Sequence, residues 1–159
     1  MAVVLENSQL VWKKVKNALA NANPAAQDAF QALRKYLSTQ GRNPDLQFIA
    51  FSEAQAIVAA GTDLVGAASK VYGVYAKASR TTGTTSAFLD FHAAATDAAT
   101  TTTVLDFRIK AAGQIVVYTN PLGVAFETGL TVHSATAVGG TVDSTTPDGA
   151  DGFVVIGAA

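Results

Sequence analysis

Apolar residues recur at three- and four-residue spacing near the start of the chain and at every second position after Asn43 and Pro44. Between Ser8 and Ala22 the apolar positions are Val11, Val15, Ala18, Leu19 and Ala22, with Lys13, Lys14, Lys16 and Asn17 on other faces. This spacing predicts an amphipathic helix with Ser8 as its N-cap. A second helix is expected directly afterwards: Asn23 can cap, Pro24 suits the first helical position, and Ala26, Phe30, Leu33 and Leu37 form the next stripe. Arg34 and Lys35 near its end complement the dipole, and Gly41 supplies a stop. Neither helix is long enough to be stable alone in water, so both stripes need partners. Residues 1–43 therefore read as a helical hairpin that packs on the downstream sheet or docks on another subunit.

From residue 44 onward the period is two and β-branched and aromatic residues become frequent. Strands are expected at Leu46 to Phe51, Gln55 to Ala59, Lys70 to Ala78, Ser86 to Ala93, Thr102 to Ile109, Gln114 to Tyr118, Gly129 to Ser134 and Gly152 to Gly157. Turn chemistry separates them at Gly61-Thr62, Thr81 to Thr84, Ala94 to Thr101, Asn120-Pro121-Leu122-Gly123, Gly139-Gly140 and Pro147-Asp148-Gly149. About eight short strands without intervening helices predict a mainly β fold, an antiparallel β-sandwich or jelly roll, over residues 44–159. Leu89, Phe91 and Ala93, and likewise Leu105, Phe107 and Ile109, are expected to face the core, which turns Phe88, Asp90, His92, Val104, Asp106 and Arg108 outward.

Composition narrows the chemistry. The 159 residues suffice for one domain or a domain with an appendage. Only 14% are charged against 49% apolar, so Thr, Ser, Asn, Gln and Gly must cover much of the surface. Eleven basic and twelve acidic residues give no field that would gather nucleic acid or anionic lipid. The six cations Lys13, Lys14, Lys16, Arg34, Lys35 and Arg42 nonetheless lie in the first 42 residues. With no cysteine, disulfides, thiolate nucleophiles and Cys-based zinc sites are excluded. No signal peptide is read, because lysines interrupt the one candidate. No apolar run reaches the roughly 18 residues of a membrane span. A soluble protein made in the cytosol is expected.

No catalytic constellation stands out. Gly-x-Ser-x-Gly is missing, and Gly61, Gly66 and Gly73 do not form a phosphate loop. His92 and His133 lack a third ligand at metal-binding spacing. Asp90, His92, Asp106 and Arg108 are expected to form an exposed cross-strand charge cluster. Asp143, Asp148 and Asp151 offer hard oxygens without EF-hand spacing and read as turn residues. Tyr72, Tyr75 and Tyr118 fit strand interiors, with packing as their expected role. No catalytic residue, cofactor or metal ligand is assigned.

Four segments carry a resemblance: Lys70-Val71-Tyr72-Gly73-Val74-Tyr75, Ala87-Phe88-Leu89-Asp90-Phe91, Gly123-Val124-Ala125-Phe126-Glu127-Thr128-Gly129-Leu130, and Asp151-Gly152-Phe153-Val154-Val155-Ile156-Gly157. Together they resemble a module of tailed-bacteriophage virion proteins found in capsid decoration and head-fibre polypeptides. The resemblance spans Val71 to Ala158 and leaves out the hairpin. It implies a non-enzymatic, often homotrimeric β-sandwich on the capsid surface of the virion, assembled in the host cytoplasm, with the major capsid protein as partner. Its function would be that of a decoration or cement protein. Exposure logic then suggests Val11, Trp12, Phe30 and Leu33 for shell docking, and Phe88 and Val104 for oligomer contacts. The alternative is a head-fibre or tail-associated module that binds a host-surface glycan through its Thr-rich loops, Thr81 to Thr85 and Thr100 to Thr103. An envelope hydrolase would need a catalytic carboxylate pair, for which only scattered acids are available.

Overall fold

Strand pairing in the computed structural model follows a single nested scheme. The structure describes residues 8–20, 22, 24–39, 46–52, 62–78, 87–93, 103–109, 113–135 and 150–158. They form helices α1 (Ser8–Ala18) and α2 (Pro24–Thr39) and strands β1 (Leu46–Phe51), β2 (Thr62–Val65), β3 (Ser69–Ala78), β4 (Ala87–His92), β5 (Thr103–Ile109), β6 (Ile115–Phe126), β7 (Leu130–Ala135) and β8 (Ala150–Ala158). β4 pairs with β5, β3 with β6, β2 with β7 and β1 with β8, all antiparallel. The chain is thus one long hairpin whose ladders are rolled alternately into two sheets. Further pairings of β3 with β8 and β4 with β7 close the roll. The resulting orders, β1-β8-β3-β6 and β2-β7-β4-β5, are those of an eight-stranded jelly roll.

Two apolar layers hold the fold. The first lies between the sheets and includes Phe51, Leu64, Val74, Leu89, Phe91, Phe126, Val132, Val154 and Ile156. The second lies between the helices and the outer face of the β1-β8-β3-β6 sheet, where Val11, Trp12, Val15, Leu19, Phe30, Leu33 and Leu37 meet Leu46, Tyr72, Tyr75, Phe153 and Val155. β8 alternates strictly between them: Phe153 and Val155 face the helices, Val154 and Ile156 the inter-sheet core. Burial raises the Tyr75 phenol above its ordinary value, so this layer holds a neutral phenol. A strand with two apolar faces needs cover on both, and the helices supply the second cover.

Contact between helix and sheet is set by Gly73. A Cβ there would lie 2.6 Å from Phe30 Cε1 and 3.4 Å from Leu33 Cδ2, so its absence lets α2 settle onto β3. The link between the helices is fixed by Gln27, whose Nε2 donates to the carbonyls of Leu19 at 2.8 Å and Ala22 at 3.3 Å. Gln27→Ala removes both bonds and leaves their acceptors to water; it will cost about 1 kcal/mol. Thermal denaturation checks this as a Tm lower by roughly 2–4 °C.

Several expectations change. The strand expected at Gln55 to Ala59 lies outside the described residues, whereas Thr62, read as a turn residue, opens β2. Asn120 to Gly123 do show turn chemistry: Asn120 Oδ1 accepts the Leu122 N–H at 3.0 Å and Gly123 has φ +77°. The chain does not turn away, however. Val71 opposes Val124 and Gly73 opposes Thr119, so four residues of β6 bulge out against Tyr72 alone before pairing resumes. β6 is an edge strand, and such a bulge, with Leu122 61% exposed at its tip, blunts it against pairing with another sheet. Ala18, placed on the apolar stripe, is exposed, and Trp12 takes its place.

Candidate functional site

The residues suggested for shell docking are not on the surface. Val11, Trp12, Phe30 and Leu33 are all buried in the layer between the helices and the sheet. Their stripe packs within the chain, so the open docking face expected of them is absent and Trp12 and Phe30 keep only edges at the surface. Val104, suggested for oligomer contacts, is half-buried against the inter-sheet core. The cause is a β-bulge: Phe91 opposes Leu105 while His92 opposes Thr103, so Val104 is the extra residue and the alternation breaks there. Phe88 is placed by its backbone in β4, opposite Arg108 on one side and Ala135 on the other.

The second sheet brings the polar residues singled out in the sequence into register. Asp90 lies between Asp106 and His133, and His92 between Thr103 and Thr131. Asp106 and Arg108 are exposed. Asp90 and His92, expected to be exposed as well, are buried, as is Thr131. Alternation assigns a residue to one face of a strand, but it does not say whether that face is open. β4 is an inner strand, and its residues from Leu89 to His92 are buried on both alternations. His92 Nε2 is 3.5 Å from Thr103 Oγ1. No group of three or more His, Cys, Asp or Glu side chains that could hold a metal occurs among the described residues. Asp143 and Asp148 lie outside the described residues, and Asp151 is exposed on β8 opposite Lys77.

A concave feature of useful size opens between the helices. A cleft of about 460 Å³ has Trp12, Val15, Leu19 and Phe30 as its apolar floor and Lys16, Asn17, Gln27, Gln31 and Arg34 around it. Lys16, Asn17, Gln31 and Arg34 are exposed, whereas the floor residues are buried. Among the described residues no carboxylate lines the cleft. Across α1 and α2 five cations, Lys13, Lys14, Lys16, Arg34 and Lys35, stand against the single carboxylate Asp28. The remainder of the chain carries the other six cations and eleven carboxylates. Cationic clustering in the first 42 residues signals this polarity in the sequence, but the cleft itself depends on how far apart two helices settle on a sheet. Its chemistry is that of a neutral amide rim with two fixed positive charges over an apolar base.

Comparison of the chain with family models, with curated proteins and with solved structures finds no match.

Proposed function

We propose that the chain is a non-enzymatic virion protein of a tailed bacteriophage, a capsid decoration or cement protein that binds the outer surface of the head and stabilises it. The observation that carries this reading is the way its four virion-like segments lie together. Lys70 to Tyr75 on β3 pair with Phe153 to Gly157 on β8, and Lys70 and Val71 also pair with Ala125 and Val124 on β6. Phe88 to Phe91 on β4 pair with β7. The corner between β6 and β7 is tied to the end of β4 by Thr128 Oγ1, which donates to the Ala93 carbonyl at 2.6 Å. The segments on β3, β6 and β8 are thus joined by strand pairing, and the segment on β4 meets them across the inter-sheet core, where Leu89 and Phe91 share one apolar cluster with Val71, Phe126, Leu130 and Ile156, as parts of a single module would.

The jelly roll supports this reading in a general way, since it recurs in viral capsid and lectin domains. The fold alone does not carry the function. The same recurrence favours, as second reading, a head-fibre or tail-associated module that binds a host glycan. Its proposed contact loops, Thr81 to Thr85 and Thr100 to Thr102, lie outside the described residues, while Thr103 is half-buried at the start of β5. A cement protein gains hold from several linked copies on a repeating lattice, so modest affinity per copy suffices. Light scattering followed by co-sedimentation with undecorated phage heads tests the proposal. A homotrimer that pellets with heads is the expected result. A monomer that stays in the supernatant would overturn it, and binding on a glycan array without head binding would replace it by the second reading.

A further inference from the structure

We propose that the cleft between α1 and α2 is a docking site for an acidic peptide segment of a partner protein, one that presents carboxylate side chains beside apolar ones. The inference is independent of the virion reading, because it rests only on the shape and charge of the helical layer. The floor of Trp12, Val15, Leu19 and Phe30 offers apolar contact, and the volume of about 460 Å³ falls within the roughly 300–1,000 Å³ of sites that enclose a ligand. Lys16 and Arg34 stand exposed at the margin, and no carboxylate is in the lining among the described residues. An occupant that brings carboxylates would complete these charges, and Arg34 has the planar fork that grips a carboxylate in bidentate fashion.

Two features select a peptide over other anions. Asn17 and Gln31 carry exposed amides at the cleft, and an amide can donate to a peptide carbonyl while accepting from a peptide N–H; Gln27, whose Nε2 is held by the Leu19 and Ala22 carbonyls, adds only its oxygen as an acceptor. The same two helices carry Lys13 and Lys35 as further exposed cations, so a chain with several carboxylates fits this layer better than a single small anion. A nucleic acid strand would meet the same charges, but its bases need exposed aromatic faces to stack on. Trp12 is 8% exposed and Phe30 2%, which leaves edges and no platform.

Trp12 is the sole tryptophan of the chain and lies in the cleft floor, so its fluorescence reports occupancy directly. The full chain is titrated with an N-acetylated, C-amidated octapeptide of alternating Glu and Leu. Parallel titrations use the Gln-Leu counterpart and a single-stranded oligonucleotide of similar length. The expected result is a saturable change with the Glu-Leu peptide alone. That binding should weaken roughly tenfold in the K16E/R34E variant and again when salt is raised from about 50 to about 500 mM. Both side chains are exposed, and the milder K16Q/R34Q variant, checked by circular dichroism, serves where charge reversal disturbs folding. The proposal is overturned by the absence of a saturable signal, by equal binding of the Gln-Leu peptide, or by preference for the oligonucleotide. Self-association at low salt that K16E/R34E abolishes, without peptide binding, would assign the cleft to a second copy and equally overturn it.

Discussion

Gly152→Ala will lower stability by about 3 kcal/mol, the upper part of the ordinary range for overpacking a filled interior. Gly152 sits in β8 between Phe51 of β1 and Ala76 of β3. A Cβ there would collide with the Tyr75 carbonyl oxygen and come within 2.9 Å of both Ala76 Cα and Phe51 Cζ. Two of these three neighbours are backbone atoms, which cannot swing aside as a side chain can. Relief requires moving β8 against two ladders at once. Gly113→Ala is the control, because a Cβ at Gly113 meets nothing within 4 Å and only its φ of +69° resists substitution, a strain of roughly 1–2 kcal/mol. Urea denaturation of both variants should rank Gly152→Ala clearly below Gly113→Ala; equal midpoints would mean that β8 is not wedged between its neighbours as described.

Phe153→Ala will cost about 3–5 kcal/mol, with a fall in Tm of roughly 10 °C or more. Phe153 is buried at the centre of the helix–sheet layer, with Phe48, Phe30 and Tyr75 ring centroids at 4.8, 5.3 and 5.6 Å. Removing its ring leaves a cavity under α2 and deprives three aromatic neighbours of a partner, each such pair being worth about 0.5–1.5 kcal/mol beyond area alone. Because Trp12 belongs to the same layer, its emission should move to the red at a lower urea concentration than in the parent protein. A variant whose Trp12 emission and Tm both match the parent would refute the central place given to this ring.

Much of the fold is legible because the determining signals are local. The periodicity that predicts α1 and α2 is carried by Val11, Val15, Phe30 and Leu33, and Pro24 stands where α2 begins. β1 coincides with its expected span from Leu46 to Phe51, and β3, β4, β5, β7 and β8 lie within two residues of theirs. The features that are not legible depend on distant pairing. The bulges at Val104 and opposite Tyr72 arise only when two strands far apart in sequence are laid side by side. β2 has four residues, too few for alternation to stand out, and it owes its existence to β7.

The candidate site shows the same division in sharper form. Val11, Trp12, Phe30 and Leu33 read as outward only while the hairpin is weighed separately from the sheet. A signal against that assignment is present in the sequence: Tyr72, Tyr75, Phe153 and Val155 make the second face of β3 and β8 apolar, and an apolar face needs cover. The cations that frame the cleft, Lys16 and Arg34, are visible as a cluster, whereas their convergence on one opening depends on the seating of α2 on Gly73. The burial of Asp90 and His92 is not readable at all, since alternation carries no information about what lies above a sheet.

The position of β8 has a consequence for how the protein acquires its shape. β8 comes after every other described element in the sequence, yet it lies inside its sheet, between β1 and β3. During synthesis the earlier strands must wait with their edges unsatisfied until this segment emerges and slots between them. The helices wait as well, because Phe153 and Val155 form part of the surface on which they rest. Closing contacts across so long a stretch of chain is slow and leaves strand edges open to wrong partners in the interval. Completion of the fold therefore awaits a single strand, and the nascent chain is at its most vulnerable just before that strand arrives.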